Sequence, residues 1–583
     1  MRWSVIPVLV LLCVLALTDA HATNLKIAVK DTQGTPVARA VIFGASYDHL
    51  QNNFKSKDQK LSAVHRLPTD RNGVFRKQFE PVQGMDRYVF WALAPGYLPQ
   101  FLGGVEFDKY EPTYADLDRP GIQIVDITKD ATFEFRLSRH ENGFKTHMVK
   151  MRDGVRLATD VFVPLGEGPW PVVLIRTPYS RKGDLPYSLL SNGYACVRQD
   201  QRGRFDSEGK NLAFEGCRWG KLQDGYDTIE WIAQQSFCDG NVGTLGGSAL
   251  GITQNFTAPT SPPALKAQYI SVAFSSMYHH AAYQGGAFRK SQVEKWLEGN
   301  KYSPENTEIV RAHPAYDEYW HAYDIATVAE QVTDPAIHRG GWFDTFQQGT
   351  IDAFKVRQHS GGEGAKGNQV LYIGPWTHGR NAGDLTFPNS NPYKPLNQIS
   401  WFDHWLKDGA ADVGEFPSVV YYRMGACGEG VVPGNDWVTA DDWPVPSEST
   451  PLYLAPDDTL TFDATRKTST SFVADPTDPV PTVGGRNLVL EKGTKDQRKV
   501  EERDDVLVFS TEPLEEPVEV TGRLRARLFV SSSAVDTDLA LRLCDVYPDG
   551  RSMLMAEGIL RLRFRNGFDK PQLLEPGKMY EVE

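Results

Sequence analysis

The chain changes its hydrophobic rhythm three times. From residue 23 to about 138, apolar and polar residues alternate in short runs. Asn24–Lys30 alternates, Asp31–Gly34 interrupts as a turn, and Val37–Phe43 resumes; Tyr88–Ala94 and Ala131–Leu137 repeat the pattern. Period two with turn punctuation predicts half-buried strands in a β-sandwich module. Nothing in it carries chemistry, so it reads as a packing or spacer module.

From about 144 the rhythm becomes that of alternating strands and helices. Met148–Pro164 predicts a hairpin turning at Asp153-Gly154, and Pro171–Thr177, Gly193–Asp200 and Ala267–Ala273 predict buried strands. Asp227–Gln235 carries Ile229, Ile232 and Ala233 at helical spacing, with Asp227 and Glu230 placed like a capping box. Such alternation predicts an α/β domain with a mainly parallel sheet. Residues 276–335 break in with aromatic, mostly helical sequence, which reads as a cap over an active site. Trp342–Asp344 and Val370–Gly374 return to the sheet, and Ile399–Lys407 reads as a closing helix. After about 409 the chain is β-rich. There Leu524, Ala526, Leu528 and Val530 alternate with Arg523, Arg525 and Arg527, the pattern of a half-buried strand.

One stretch organises the chemistry: Val242-Gly-Thr-Leu-Gly-Gly-Ser248-Ala-Leu-Gly251. A short apolar strand runs into a glycine-rich turn and then a helix. Gly246 and Gly247 permit the turn, and Gly251 lets the helix pack closely. This predicts a nucleophile elbow with Ser248 at its tip, in front of a helix N-terminus that favours developing negative charge. The spacing is G-x-S-x-x-G rather than G-x-S-x-G.

Composition narrows the picture. At 583 residues the chain exceeds one core, so several domains are expected. A net charge of -12 argues against nucleic acid as a partner. Arg2, the apolar run Val5–Leu17 and Ala20-His21-Ala22 read as a signal peptide cleaved after Ala22, so residues 1–22 are expected to direct the protein to a secreted or periplasmic location. That run is too short for a membrane span. Five cysteines remain after cleavage: Cys196, Cys217, Cys238, Cys427 and Cys544. No metal-ligand spacing appears among them, and no cofactor is called for. Cys196 reads as core. Cys217 and Cys238 flank the predicted 224–235 helix and form a candidate disulfide in an exported protein.

A nucleophilic serine needs a base and an orienting carboxylate. In α/β hydrolases the order is Ser, Asp, His, each after a strand. Asp344 ends Gly340-Gly-Trp-Phe-Asp344, and His378 ends Leu371-Tyr-Ile-Gly-Pro-Trp-Thr-His378. Both follow strand-like runs.

From about 144 to 583 the chain resembles the CocE/NonD hydrolases: cocaine esterases, α-amino acid ester hydrolases and Xaa-Pro dipeptidyl-peptidases. The matching stretches are Met151–Asp160, Arg176-Thr-Pro-Tyr179, Gln199–Arg204 with Ser207-Glu-Gly209, and Asp224–Trp231. The elbow, His313–Asp317, Gly341–Asp344, Ile373–His378, Asp536-Thr-Asp538 and Asp545–Gly550 continue the match. The resemblance implies an α/β-hydrolase core with a helical cap and a C-terminal jelly-roll-like domain. It implies a Ser248–His378–Asp344 triad, with an oxyanion hole from the Tyr179 hydroxyl and the Ala249 backbone N–H. Position 249 is usually tyrosine in this family; alanine keeps the backbone donor and empties that part of the pocket wall. Trp342 and Phe343, beside Asp344, and Asp317 in the cap are the substrate-binding candidates.

The expected domains are a signal peptide at 1–22, a β-sandwich at 23–140, the hydrolase domain at 141–408 with its cap at about 276–335, and the jelly-roll-like domain at 409–583. The expected function is a secreted serine hydrolase cleaving a small-molecule ester or amide through an acyl-enzyme. A dipeptidyl-peptidase on the same fold is the alternative, with Asp317 and Glu318 as candidates to bind a free amine. A non-catalytic binding protein is the alternative of another class. Oligomeric state is not legible. The C-terminus stops inside a strand-like run, Met579–Glu583, so the last domain is expected to be incomplete, with an open sheet edge and exposed apolar side chains.

Overall fold

The computed structural model describes residues 23–583 except 53–58, 60, 62–64, 80–84, 107–111, 141–142, 380, 408–415, 431 and 467–468. The expected signal segment, 1–22, lies outside the described residues. The chain divides into two compact units, the first holding the N-terminal residues to Lys145 with 162–167 and 183–191, the second the remainder.

In the first unit Thr23–Asp31 pairs antiparallel with Val74–Phe79 and parallel with Ala131–Leu137. A second sheet places Val41–Ser46 between His65–Pro68 and Arg87–Leu93. The period-two pattern works as read: Leu25, Ile27 and Val29 turn inward while their neighbours face out. They share one core with Ile42, Tyr88, Phe90 and Phe135, so two sheets enclose a common apolar layer.

The second unit is built on a ten-stranded sheet. Its strands are β1 (Phe144–Lys150), β2 (Arg156–Phe162), β3 (Trp170–Thr177), β4 (Ala195–Asp200), β5 (Cys238–Gly247), β6 (Leu265–Ser271), β7 (Ala336–Gly341), β8 (Gln369–Gly374), β9 (Val419–Arg423) and β10 (Asp436–Ala440). Their spatial order is β1-β2-β4-β3-β5-β6-β7-β8-β9-β10. Every pairing from β4 to β9 is parallel, and β10 closes the edge antiparallel. Central strands read as unbroken apolar runs because helices cover both faces; Val172, Val173 and Leu174 are buried. The connecting helices are α1 (Asp224–Ala233), α2 (Ala249–Thr257), α6 (Gln347–Ser360) and α7 (Gln398–Leu406). This is an α/β-hydrolase core.

Between β6 and β7 comes the expected insertion. It holds α3 (Lys290–Gly299), α4 (Glu305–Ala312), the single turn α5 (Glu318–His321) and shorter turns. Its aromatic residues make their own core, with Tyr278, Tyr283 and Trp320 in mutual ring contact.

The structure corrects three expectations. Helix α1 spans Asp224–Ala233 with Asp227 inside its first turn, so Asp227 is not a cap: its carboxylate accepts from the Arg152 backbone N–H at 2.8 Å and from the Arg152 guanidinium at 2.7 Å. The sheet does not end at residue 408: β9 and β10, beyond that boundary, extend it. Cys217 and Cys238 are separate thiols. Cys217 packs in the apolar cluster around α2, whereas Cys238 opens β5 and accepts the Gly240 N–H.

The C-terminal domain is β-rich, as expected, and exposes apolar side chains. Among the described residues the C-terminal strands form two-stranded pairs: Leu528–Val530 with Tyr580–Val582, and Asp538–Val546 with Ser552–Arg561. The alternating 523–530 run is a strand only over its last three residues, and Leu524 is 50 % exposed. Over that strand the period-two reading holds: Leu528 and Val530 pack against the buried Leu562, Leu574 and Val582, while Phe529 between them faces out. Phe529, Val546 and Met579 are likewise exposed.

Candidate active site

Strand β5 ends at Gly247 and α2 begins at Ala249, so Ser248 alone makes the turn. Its φ is +57° with ψ −127°, a strained backbone for a residue with a side chain. The strain is held from three directions. The Ser248 N–H donates to the Ser271 carbonyl at 3.0 Å, and its carbonyl accepts from Gly251 and Ile252 at 2.8 Å each. Gly251 is required by close approach: a Cβ there would meet the Ser271 carbonyl oxygen at 2.9 Å and Ala273 Cβ at 2.8 Å. Helix α2 therefore sits tight against β6 and lifts the serine hydroxyl above the sheet.

His378, on the loop after β8, places Nε2 2.9 Å from Ser248 Oγ. Its Nδ1 lies 2.6 Å from Asp344 Oδ2. Asp344 follows β7 and is fully buried; its other carboxylate oxygen accepts the Phe346 N–H at 2.8 Å. The Phe346 ring stands edge-on to the imidazole, centroids 5.5 Å apart. Three residues 34 and 96 positions apart in sequence thus form one hydrogen-bonded chain.

Tyr179 stands two residues beyond β3, and its hydroxyl accepts the Trp296 indole N–H at 3.0 Å. It also faces the Ser248 hydroxyl. Burial raises its pKa, against the Trp296 and Ser248 hydrogen bonds, so it is a neutral phenol at ordinary pH. With the indole on its acceptor side, its own O–H remains a donor toward the serine. Arg204, from the Gln199–Arg204 stretch, locks this corner: it donates to the Pro178 carbonyl at 3.1 Å and the Asn300 carbonyl at 2.6 Å, and lies over the Tyr302 ring. Ala249 is the first residue of α2, where a helix leaves its N–H groups without intrahelical partners.

A cavity of about 210 Å³ opens at Ser248. Its wall is mainly apolar, from Phe214, Ala249, Ile252, Phe274, Trp296 and Phe346, with Leu488 from the C-terminal segment. Phe214 and Trp296 stack at 5.7 Å. Glu215, Arg218, Gln292 and Asn306 are polar members. The guanidinium of Arg218 lies over Tyr323, 4.7 Å from its centroid.

The structure brings together Ser248, His378, Asp344, Tyr179 and Ala249. It does not bring Trp342, Phe343 or Asp317 to the cavity. Trp342 donates its indole N–H to the Tyr422 carbonyl at 2.7 Å and packs on Trp443. Phe343 is buried against Phe387 and Tyr422. Asp317 caps α5 by accepting the Tyr319 N–H at 3.1 Å and pairs with His313 at 2.6 Å. Each side chain is consumed by packing or capping. Glu215, Arg218 and Leu488 were not legible as site residues, since no motif or periodicity marks them and only the tertiary fold delivers them.

Known proteins resemble this chain over most of its length. The X-Pro dipeptidyl-peptidase (S15 family) model matches residues 153–308 and 300–380, and the X-Pro dipeptidyl-peptidase C-terminal non-catalytic domain model matches 411–583. A cocaine esterase of Rhodococcus sp. (strain MB1 Bresler) is 34 % identical over 511 residues, covering 75 % of this chain and 86 % of the esterase. Among solved structures, an aminopeptidase from a marine sediment Thaumarchaeota archaeon is 28 % identical with a TM-score of 0.62, covering 75 % of this chain and 84 % of its own. An α-amino acid ester hydrolase, 24 % identical, superimposes with a TM-score of 0.62 over 75 % of this chain and 85 % of its own, and shares the fold.

Proposed function

This chain belongs to the CocE/NonD hydrolase family and is a serine hydrolase, and on that premise we propose that Ser248, His378 and Asp344 are its catalytic triad, cleaving an ester or amide through an acyl-enzyme. The observation that carries the reading is the continuous chain Ser248 Oγ–His378–Asp344 at 2.9 and 2.6 Å, with the serine on a strained turn. Ser248 Oγ attacks the substrate carbonyl while His378 Nε2 takes its proton, then returns it to the leaving group. Asp344 fixes the imidazole tautomer and stabilises the imidazolium. The oxyanion is received by the Tyr179 hydroxyl and the Ala249 N–H. Water then repeats the sequence on the acyl-enzyme. The acyl group lies in the mainly apolar cavity beside Ala249, where the small side chain leaves room. The leader at 1–22 directs the protein to the exterior or the periplasm.

One observation favours a second reading, release of Xaa-Pro dipeptides. Glu215 lines the cavity and supplies a carboxylate for a free amine, a role that Asp317 does not fill there. The family-model description points the same way. A binding role without catalysis is not retained.

The test is hydrolysis of p-nitrophenyl esters, α-amino esters and Gly-Pro anilide by the mature protein and by Ser248→Ala. The wild type is expected to turn over the esters faster than the anilide. Ser248→Ala is expected to lose at least about 10³-fold in kcat with the fold intact. Undiminished turnover in that variant removes the triad assignment, and a preference for the anilide selects the second reading.

A further inference from the structure

Two arginines outside the proposed triad converge on the turn that carries Asp344. Arg289 precedes α3 in the helical insertion; Arg486 belongs to the C-terminal segment. The Arg289 guanidinium donates to Thr345 Oγ1 at 2.9 Å and to the Thr345 carbonyl at 3.3 Å. It also donates to the carbonyls of His280 at 3.2 Å and Arg486 at 2.8 Å. Arg486 donates to the Gln347 side-chain carbonyl at 2.8 Å and to the Glu557 carbonyl, and its N–H donates to Glu557 Oε1 at 2.7 Å. Asp344, Thr345 and Gln347 form one turn at the start of α6, so both guanidinium groups grip it from outside the sheet.

This is a costly arrangement. Burial and Arg486 push Arg289 down to about 10, against the pull of Glu557 and Asp344. Burial likewise lowers Arg486, opposed by Glu557. Packing alone is served as well by apolar side chains, which carry no desolvation cost. The structure spends two adjacent cations on one turn, and that turn holds the triad acid.

We propose that Arg289 is a positioning residue for Asp344: braced by Arg486 and Glu557, it holds the 344–347 turn in register with His378. The inference rests on the triad reading above. It gives the C-terminal segment, matched by a model described as non-catalytic, a part in building the site. Displacing a catalytic group by about 1 Å costs about 10²-fold in rate, so a brace on this turn acts on kcat. The cation also sets a sign. The charged and titratable groups around the turn are Asp344, His378, Arg289, Arg486 and Glu557, with the His280–Asp352 pair alongside at α6. Arg289 and Asp344 are electrostatically coupled, so removing the cation takes a positive field from the site and moves the acid limb of kcat/KM to higher pH.

The test uses the full mature chain with p-nitrophenyl acetate, reading kcat and KM from pH 5 to 9 with active-site titration. Arg289→Met is expected to lower kcat about 10–100-fold, leave KM within about twofold and shift the acid limb upward. Arg289→Lys is expected to return the limb to its wild-type position while kcat stays low, because charge is restored and the fork of hydrogen bonds is not. If Arg289→Met gives no folded protein, Arg486→Gln carries the test with smaller changes in the same directions. Wild-type kcat per titrated site and an unmoved acid limb, in a background where Ser248→Ala is inactive, overturn this inference alone. Turnover surviving in Ser248→Ala overturns the triad reading instead.

Discussion

The core sheet and the C-terminal segment use apolar residues in opposite ways. In the core, β3 and β8 are mainly apolar runs on both faces and helices cover the sheet; Ile337, Leu371 and Phe354 are fully buried. In the C-terminal segment, alternating sequence forms two-stranded pairs with one side uncovered, leaving Phe529 63 % exposed. The first arrangement ties strand ends rigidly together, and all three members of the proposed triad stand at strand ends. The second brings few residues to the site, Leu488 in the wall and Arg486 behind Asp344. The proposed chemistry sits where the backbone is held from both faces.

That contrast can be broken in three ways. The largest effect is expected at the corner of the core next to β3. Tyr179→Phe removes one oxyanion donor and is expected to lower kcat about 10²–10³-fold with little change in KM. A kcat equal to wild type takes Tyr179 out of the site. Next is a paired truncation read by guanidinium unfolding. Phe354→Ala, in the core beneath the sheet, is expected to cost about 3–5 kcal/mol. Phe529→Ala is expected to fall within about 0.5 kcal/mol of zero. Equal losses would mean the C-terminal surface is packed after all.

The smallest effect concerns pH. His338, on β7, is buried with Nε2 3.1 Å from Gln369 Oε1, and burial, reinforced by Arg357, pushes its pKa from 6.5 to about 3. The unfolded chain binds this proton below pH 6.5 and the folded chain does not. Its contribution is therefore complete above 6.5 and is lost as pH falls toward 3. His338→Asn is expected to flatten the decline in unfolding midpoint across that window, and an unaltered slope counts against a neutral buried imidazole.

Much of the proposed site is legible in the sequence because its signals are local. A strand, a glycine turn and a helix specify Ser248's backbone within ten residues. Asp344 and His378 each terminate a strand-like run, and the triad order then assigns them. Sequence neighbourhood misled at Trp342 and Phe343. Adjacency to Asp344 does not say which way a ring points at a strand end, and both pack into apolar clusters instead. The capping-box reading at Asp227 failed because Asp227 resembles a cap until Arg152 is seen to occupy its carboxylate. The C-terminal alternation was legible as a pattern, and Leu528 and Val530 do face an apolar cluster, but how far the strand extends depends on a pairing partner that the stripe does not encode. Glu215 and Arg289 carry no local mark at all, and only contacts across long sequence separations reveal them.

The central claim is that Ser248 is an activated nucleophile. Its most direct measurement is peptide mapping of the mature protein after reaction with a fluorophosphonate. The account predicts one adduct per chain, on the peptide containing Ser248, absent in Ser248→Ala and formed far more slowly in His378→Ala. An adduct on another serine, or labelling of Ser248 that proceeds unchanged without His378, would contradict it.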